Sequence, residues 1–195
     1  MVEIDVRRTV DGILVLAHDP DFAGLRVRRH TFAELRALSV GGHEIARLDE
    51  VLAAVGDFPL NIEIKQNASA DEMEPDSQLA REVGAVARPF DLITSFHWPT
   101  MAGVRNGYSK LKTGLLVDKR LGIERAVGEA HSFEHPLLAV HDPLLGEDPR
   151  ERVERIGKAG LEVAVWTVND PARARLLAQV GVQAIISDVP QTIAH

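Results

Sequence analysis

The sequence contains no cysteine, which excludes disulfides, thiolate metal sites and a cysteine nucleophile. It has no apolar run of transmembrane length, and no signal-peptide pattern opens the sequence as given. Positive charge is not in excess. The formal net charge of −7 gives no reason to expect nucleic-acid binding or attraction to an anionic membrane. No Gly/Ser-rich linker or low-complexity tract divides the 195 residues, so one domain spanning 1–195 is expected, long enough for a substantial core. What is present, 45% hydrophobic and 26% charged residues, describes an ordinary globular protein.

Strand-like runs recur at 2–6, 60–65, 91–96, 112–117, 137–141, 162–168 and 183–187, with helix-like stretches between most of them. Leu48, Val51, Leu52 and Val55 have helical spacing. Residues 77–87 follow Asp76 as a cap, and 149–159 open with Pro149 and close at Gly160. Asp170-Pro171 opens a helix ending near Gly181, and Thr31-Phe32-Ala33-Glu34 reads as a capping box for a short helix to about Leu38. Alternation of strand and helix implies parallel strands with helical crossovers. Repeats of about 20–30 residues suit a TIM-type (β/α)8 barrel, with catalytic residues at the strand ends. Seven strands fit that plan rather than eight, so the expected fold is α/β, a barrel lacking its first βα unit, with a small insertion at about 19–46. A doubly wound open sheet is the alternative, but no Gly-x-Gly-x-x-Gly follows an early strand.

The chemistry concentrates near the start. In Val2-Glu3-Ile4-Asp5-Val6 the carboxylates stand at i and i+2, on one face of a strand. Like charges on one face repel unless a cation or basic substrate lies between them. Leu60-Asn61-Ile62-Glu63-Ile64-Lys65 repeats the pattern, with Asn61, Glu63 and Lys65 on one face. Between the two runs, the apolar strand Leu14-Val15-Leu16-Ala17 ends in His18. Two carboxylates in a strand can simply form an exposed face; Glu63, His18 and Lys65 together argue instead for a metal-assisted phosphate site.

These segments resemble the glycerophosphodiester phosphodiesterases. The likeness runs through 2–20 (Val-Glu-Ile-Asp-Val-Arg…Asp-Gly-Ile-Leu-Val-Leu-Ala-His-Asp-Pro) and 61–65 (Asn-Ile-Glu-Ile-Lys). It continues through Thr94-Ser95-Phe96, Val165-Trp166-Thr167-Val168-Asn169 and Ile185-Ile186-Ser187-Asp188-Val189-Pro190, in order and with compatible gaps. The resemblance implies a phospholipase-C-like barrel that hydrolyses glycerophosphodiesters, as soluble small molecules, to glycerol 3-phosphate and an alcohol. It implies Glu3, Asp5 and Glu63 as metal ligands, His18 as a catalytic histidine, Lys65 as a phosphate-binding lysine and Trp166 as an aromatic residue of the substrate pocket. Three carboxylates favour Mg²⁺ or Ca²⁺ over softer metals. No membrane insertion is expected, and a cytoplasmic location is.

The sequence also departs from that family. A His-Arg-Gly segment ending a first strand and a Glu-Asn-Thr segment opening a first helix normally come earlier, and neither is present. With them go a partner histidine and a phosphate-binding arginine. The expectation is that the physiological chain starts upstream and Met1 is an internal methionine; the rival is a truncated chain, inactive or completed by a partner. Two other classes stay open, a metal- or phosphate-binding remnant without chemistry and a related phospholipase-type phosphodiesterase. His97 and His141, at strand ends, are weak substitutes for the absent histidine. His30, His43, His131, His135 and His195 read as surface or loop residues, and the cluster Arg26, Arg28, Arg29 and His30 as a solvated loop.

Overall fold

The computed structural model describes residues 1–66 and 78–193. The expected cap Asp76, most of the polar loop 66–76 and His195 lie outside the described residues. The chain divides into two compact units, Met1–Lys112 and Thr113–His195.

The first unit opens with β1 (Val2–Arg8) and β2 (Leu14–Leu16), paired antiparallel with Val6 opposite Leu16. Their hairpin is set by Thr9, whose hydroxyl donates to Asp11 Oδ1 (2.6 Å) and accepts from the Ile13 N–H (2.9 Å). Gly12 there adopts a φ of +85°, open to glycine at little cost. Residues 19–46 then form the short strands β3 (Asp21–Phe22) and β4 (Leu25–Arg26), a 3-10 turn at Val27–Arg29, and α1 (Phe32–Arg36). Val27, Leu35 and Ile45 pack on Val15 of β2 in a small core of their own. The Thr31–Glu34 capping box is formed as the sequence indicated.

α2 (Leu48–Val55) leads to β5 (Leu60–Ile64), every residue of which is buried. α3 (Gln78–Val86), β6 (Leu92–Ser95) and α4 (Trp98–Gly107) complete the unit. Its strand order is β6-β5-β1-β2, with β6, β5 and β1 parallel. Buried Asp91 anchors the start of β5, accepting from the Leu60 N–H (3.0 Å) and from Arg88 (2.7 Å).

The second unit contains β7 (Lys112–Val117), α5 (Ile123–Ser132), β8 (Leu137–His141), α6 (Arg150–Lys158), β9 (Glu162–Trp166), α7 (Pro171–Gln179), β10 (Ala184–Ile185) and α8 (Pro190–Ile193). β7 to β10 lie in sequence order, all parallel. Asp170 caps α7 by accepting from the Arg173 N–H (2.8 Å). Gly160 follows α6 at φ +78°, a left-handed stop. Fully buried Leu138, Val140 and Val165 each contribute about 1.5–3 kcal/mol of burial.

Among the described residues seven strands run parallel, three in the first unit and four in the second, matching the seven read from the sequence. Strands expected at 162–168 and 183–187 are shorter: the regular ladder ends at Trp166 and Ile185, although the Val168 N–H beyond it still donates to the Ile186 carbonyl at 2.9 Å. No helix of the described residues is long and apolar enough to cross a membrane.

Candidate metal and phosphate site

Parallel pairing turns the alternation of two strands into a cluster. Asp5 of β1 lies opposite Glu63 of β5, and Glu3 lies opposite Asn61. All three carboxylates can each offer an oxygen within 4.8 Å of the others. Two unit charges about 5 Å apart repel by about 3 kcal/mol at an effective dielectric constant near 20. Lys65, just beyond β5, answers part of this: Nζ is 2.9 Å from Asp5 Oδ1 and 2.6 Å from Glu63 Oε1. Asp5 Oδ1, Glu63 Oε1 and Glu3 Oε1 are all buried without an aligned hydrogen bond.

The ionisation states follow. Burial first, then the charges of Asp5 and Glu63, push the Glu3 carboxyl up to about 8, against the pull of Lys65. Burial also raises Glu63, although Lys65 opposes it. For Lys65, burial alone would favour the neutral amine, but Glu63 and Asp5 outweigh it and hold the ammonium above its ordinary value. One ammonium facing three carboxylates leaves an excess of negative charge among closely spaced buried oxygens. That fits a hard divalent cation held by Glu3, Asp5 and Glu63.

His18 follows β2, its ring mostly exposed (73%), with Nδ1 2.9 Å from Asp19 Oδ1. It is near enough to Glu63 for its charge to act on that carboxyl. The structure therefore brings Glu3, Asp5, Glu63, Lys65 and His18 together in one unit. It adds Arg7, which the sequence reading did not single out. Arg7 is buried and donates to the carbonyl oxygens of both His18 and Lys65. The signal was available: Arg7 continues the i, i+2 alternation of Glu3 and Asp5 onto the same face. Arg7, Arg8, Arg28 and Lys65 also line a small cavity of about 20 Å³, room for about one water.

Trp166 ends β9 in the second unit. Its indole Nε1 donates to the Ala139 carbonyl (2.8 Å), and its ring stacks on His141 at 4.5 Å. His97, half-buried at the end of β6, shares a 2.7 Å hydrogen bond between Nδ1 and Thr100 Oγ1, and burial holds its imidazole below the usual value. His135, expected at the surface, is instead buried, because Thr113 Oγ1 lies 2.8 Å from its Nδ1 and satisfies that nitrogen within the core. The basic segment after His18 is partly tied down: Arg26 pairs with Asp21 (2.9 Å), and His30 Nδ1 lies 2.9 Å from the Arg26 carbonyl.

Residues 1–192 match the model of the Glycerophosphoryl diester phosphodiesterase family. The chain is 29% identical to a glycerophosphodiester phosphodiesterase of Caldanaerobacter subterraneus subsp. tengcongensis, over 100% of this chain and 84% of that protein. It is similar to the crystal structure of a glycerophosphodiester phosphodiesterase from Thermotoga maritima, with a TM-score of 0.76, 28% identity, and coverage of 98% of this chain and 83% of that one. A phosphodiesterase of Oleispira antarctica, solved in complex with the product sn-glycerol-3-phosphate, gives a TM-score of 0.81 at 23% identity, covering 98% and 82%. The fold class is α/β of the TIM-barrel type.

Proposed function

Because this chain belongs to the glycerophosphoryl diester phosphodiesterase family, we propose that it hydrolyses glycerophosphodiesters to glycerol 3-phosphate and an alcohol at a divalent-cation site formed by Glu3, Asp5 and Glu63. The observation that carries the cation is the set of buried carboxylate oxygens within 4.8 Å of one another and without aligned donors. All-oxygen ligation favours Mg²⁺ or Ca²⁺. When bound, such a cation polarises a phosphoryl oxygen and lowers the pKa of a coordinated hydroxyl or water.

The side chains supply the rest. With Nδ1 engaged by Asp19, His18 presents Nε2 to carry a proton between the attacking and leaving oxygens. Lys65 offsets charge on the non-bridging oxygens of the phosphate. Trp166, held by the Ala139 carbonyl and His141, is the aromatic residue of the substrate pocket in this reading.

Turnover of glycerophosphocholine tests it. Glycerol 3-phosphate release in Mg²⁺ or Ca²⁺, lost in EDTA and reduced at least about 100-fold by Glu63→Gln, is the expected result. Unchanged release by Glu63→Gln would remove that residue from the site. A second reading is a chain that binds cation and phosphate without turnover. It is favoured by the lack of a His-Arg-Gly segment in these 195 residues, which leaves His18 without the partner histidine that the resemblance implies. Binding of glycerol 3-phosphate without diester cleavage would select it.

A further inference from the structure

We infer that Arg7 is a positioning residue, a buried clasp that fixes the backbone of His18 and of Lys65 on either side of β1 and so sets the spacing of the proton carrier and the phosphate-facing ammonium. The inference rests on the function proposed above.

β1 lies between β2 and β5. On one side the Ala17 N–H, just past β2, donates to the Asp5 carbonyl in the middle of β1 (3.0 Å). On the other, the Lys65 N–H donates to the Val6 carbonyl (3.0 Å). Beyond these bonds the carbonyls of His18 and Lys65 are taken up by a side chain rather than by a strand. Arg7 Nη2 and Nε donate to the His18 carbonyl at 2.8 and 3.3 Å, and Nη1 donates to the Lys65 carbonyl at 3.4 Å. The acceptors lie 11 and 58 residues from Arg7 in sequence and 47 from each other, so no local turn could hold them together.

The choice of residue is informative. Arg7 is only 6% exposed, and burying a guanidinium is costly unless its donors are used. An aliphatic side chain would pack as well but would leave both carbonyls without these donors. A lysine carries the charge, yet its single ammonium lacks the planar fork that reaches two acceptors at once. The metal ligands Glu3 and Asp5 sit earlier on β1, where ladder bonds to β5 hold the register. The clasp therefore governs Lys65 and His18 more than the carboxylates.

The test compares wild type with Arg7→Met and Arg7→Lys by calorimetric titration. MgCl₂ is titrated alone, then sn-glycerol 3-phosphate at saturating Mg²⁺, with melting curves confirming that each variant is folded at the assay temperature. Arg7→Met is expected to bind glycerol 3-phosphate at least about tenfold more weakly while Mg²⁺ affinity stays within about twofold, with Arg7→Lys recovering only part of the loss. A merely structural arginine would lower the melting temperature and leave both affinities of the folded protein unchanged, which would overturn the inference. Full recovery by lysine, or parallel loss of both ligands, would overturn it too. Failure of the wild type to bind either ligand would instead remove the proposed function, and the inference with it.

Discussion

Glu3 keeps its proton at neutral pH when no cation is present, since burial and the charges of Asp5 and Glu63 push its carboxyl from 4.5 up to about 8. Between those values an unfolded Glu3 is ionised while the folded one still holds its proton. The native state then binds more protons, so stability falls as pH rises through this window. Thermal melts in EDTA should lose stability from pH 5 to pH 8, with a shallower decline for Glu3→Gln; identical slopes would mean that Glu3 is not the titrating group. Lys65 makes a prediction of mixed sign. Its ammonium lies against two proposed cation ligands, so it competes with the cation while serving the phosphate. Lys65→Met should tighten Mg²⁺ binding by at least about tenfold, since one unit charge across about 5 Å is worth about 3 kcal/mol before screening, and weaken glycerol 3-phosphate binding. Calorimetry of both ligands decides, and weakening of both would refute the competition. The carboxylate positions were legible because strand alternation puts Glu3 and Asp5 on one face. That Glu63 stands opposite Asp5, that Lys65 folds back onto both, and that Arg7 clasps two carbonyls depend on tertiary register, which no local pattern encodes.

Element boundaries were most legible where start and stop chemistry is strong. Thr31–Glu34 caps α1, Asp170 caps α7, and Gly160 follows α6. α4 was not anticipated. Its sequence mixes Pro99, Gly103, Asn106 and Gly107, which weakens propensity, and it is held instead by burial of Trp98, Met101 and Val104. α5 begins at Gly122 without a side-chain cap, so it too lacked a start signal. α3 offers a test of packing against propensity. Gly84 is buried in that helix, and a Cβ there would lie 2.3 Å from the Tyr108 ring. Tyr108 is itself tethered, its hydroxyl donating to the Arg81 carbonyl at 3.0 Å. Alanine gains about 1 kcal/mol of helix propensity, while overpacking costs about 1–3 kcal/mol and forces the ring from its seat. Gly84→Ala should therefore destabilise, by up to about 2 kcal/mol, in urea titration. Stabilisation would show that the ring moves freely.

At the scale of the whole chain, seven recurring strand signals and the absence of a linker pointed to one barrel domain, and the parallel pairing follows that rhythm. Its grouping into two compact units, Met1–Lys112 and Thr113–His195, leaves no mark in composition, because it arises from contact density rather than from a linker. The proposed cation ligands lie on two strands of the first unit, β1 and β5, separated by 57 or more intervening residues between Asp5 and Glu63. A cation that joins them binds the folded chain and not the unfolded one, so it stabilises by mass action. At 100 times its dissociation constant the gain is about 2.7 kcal/mol. For a chain of this length each kcal/mol moves the melting temperature by about 2–4 °C. MgCl₂ or CaCl₂ should therefore raise the melt by about 5–10 °C over NaCl at matched ionic strength, and EDTA should reverse it. If the units melt separately, the shift belongs to the transition that carries β1 and β5. A rise of the same size in Glu3→Gln with Glu63→Gln would place the cation elsewhere, because that variant keeps only Asp5 of the three carboxylates.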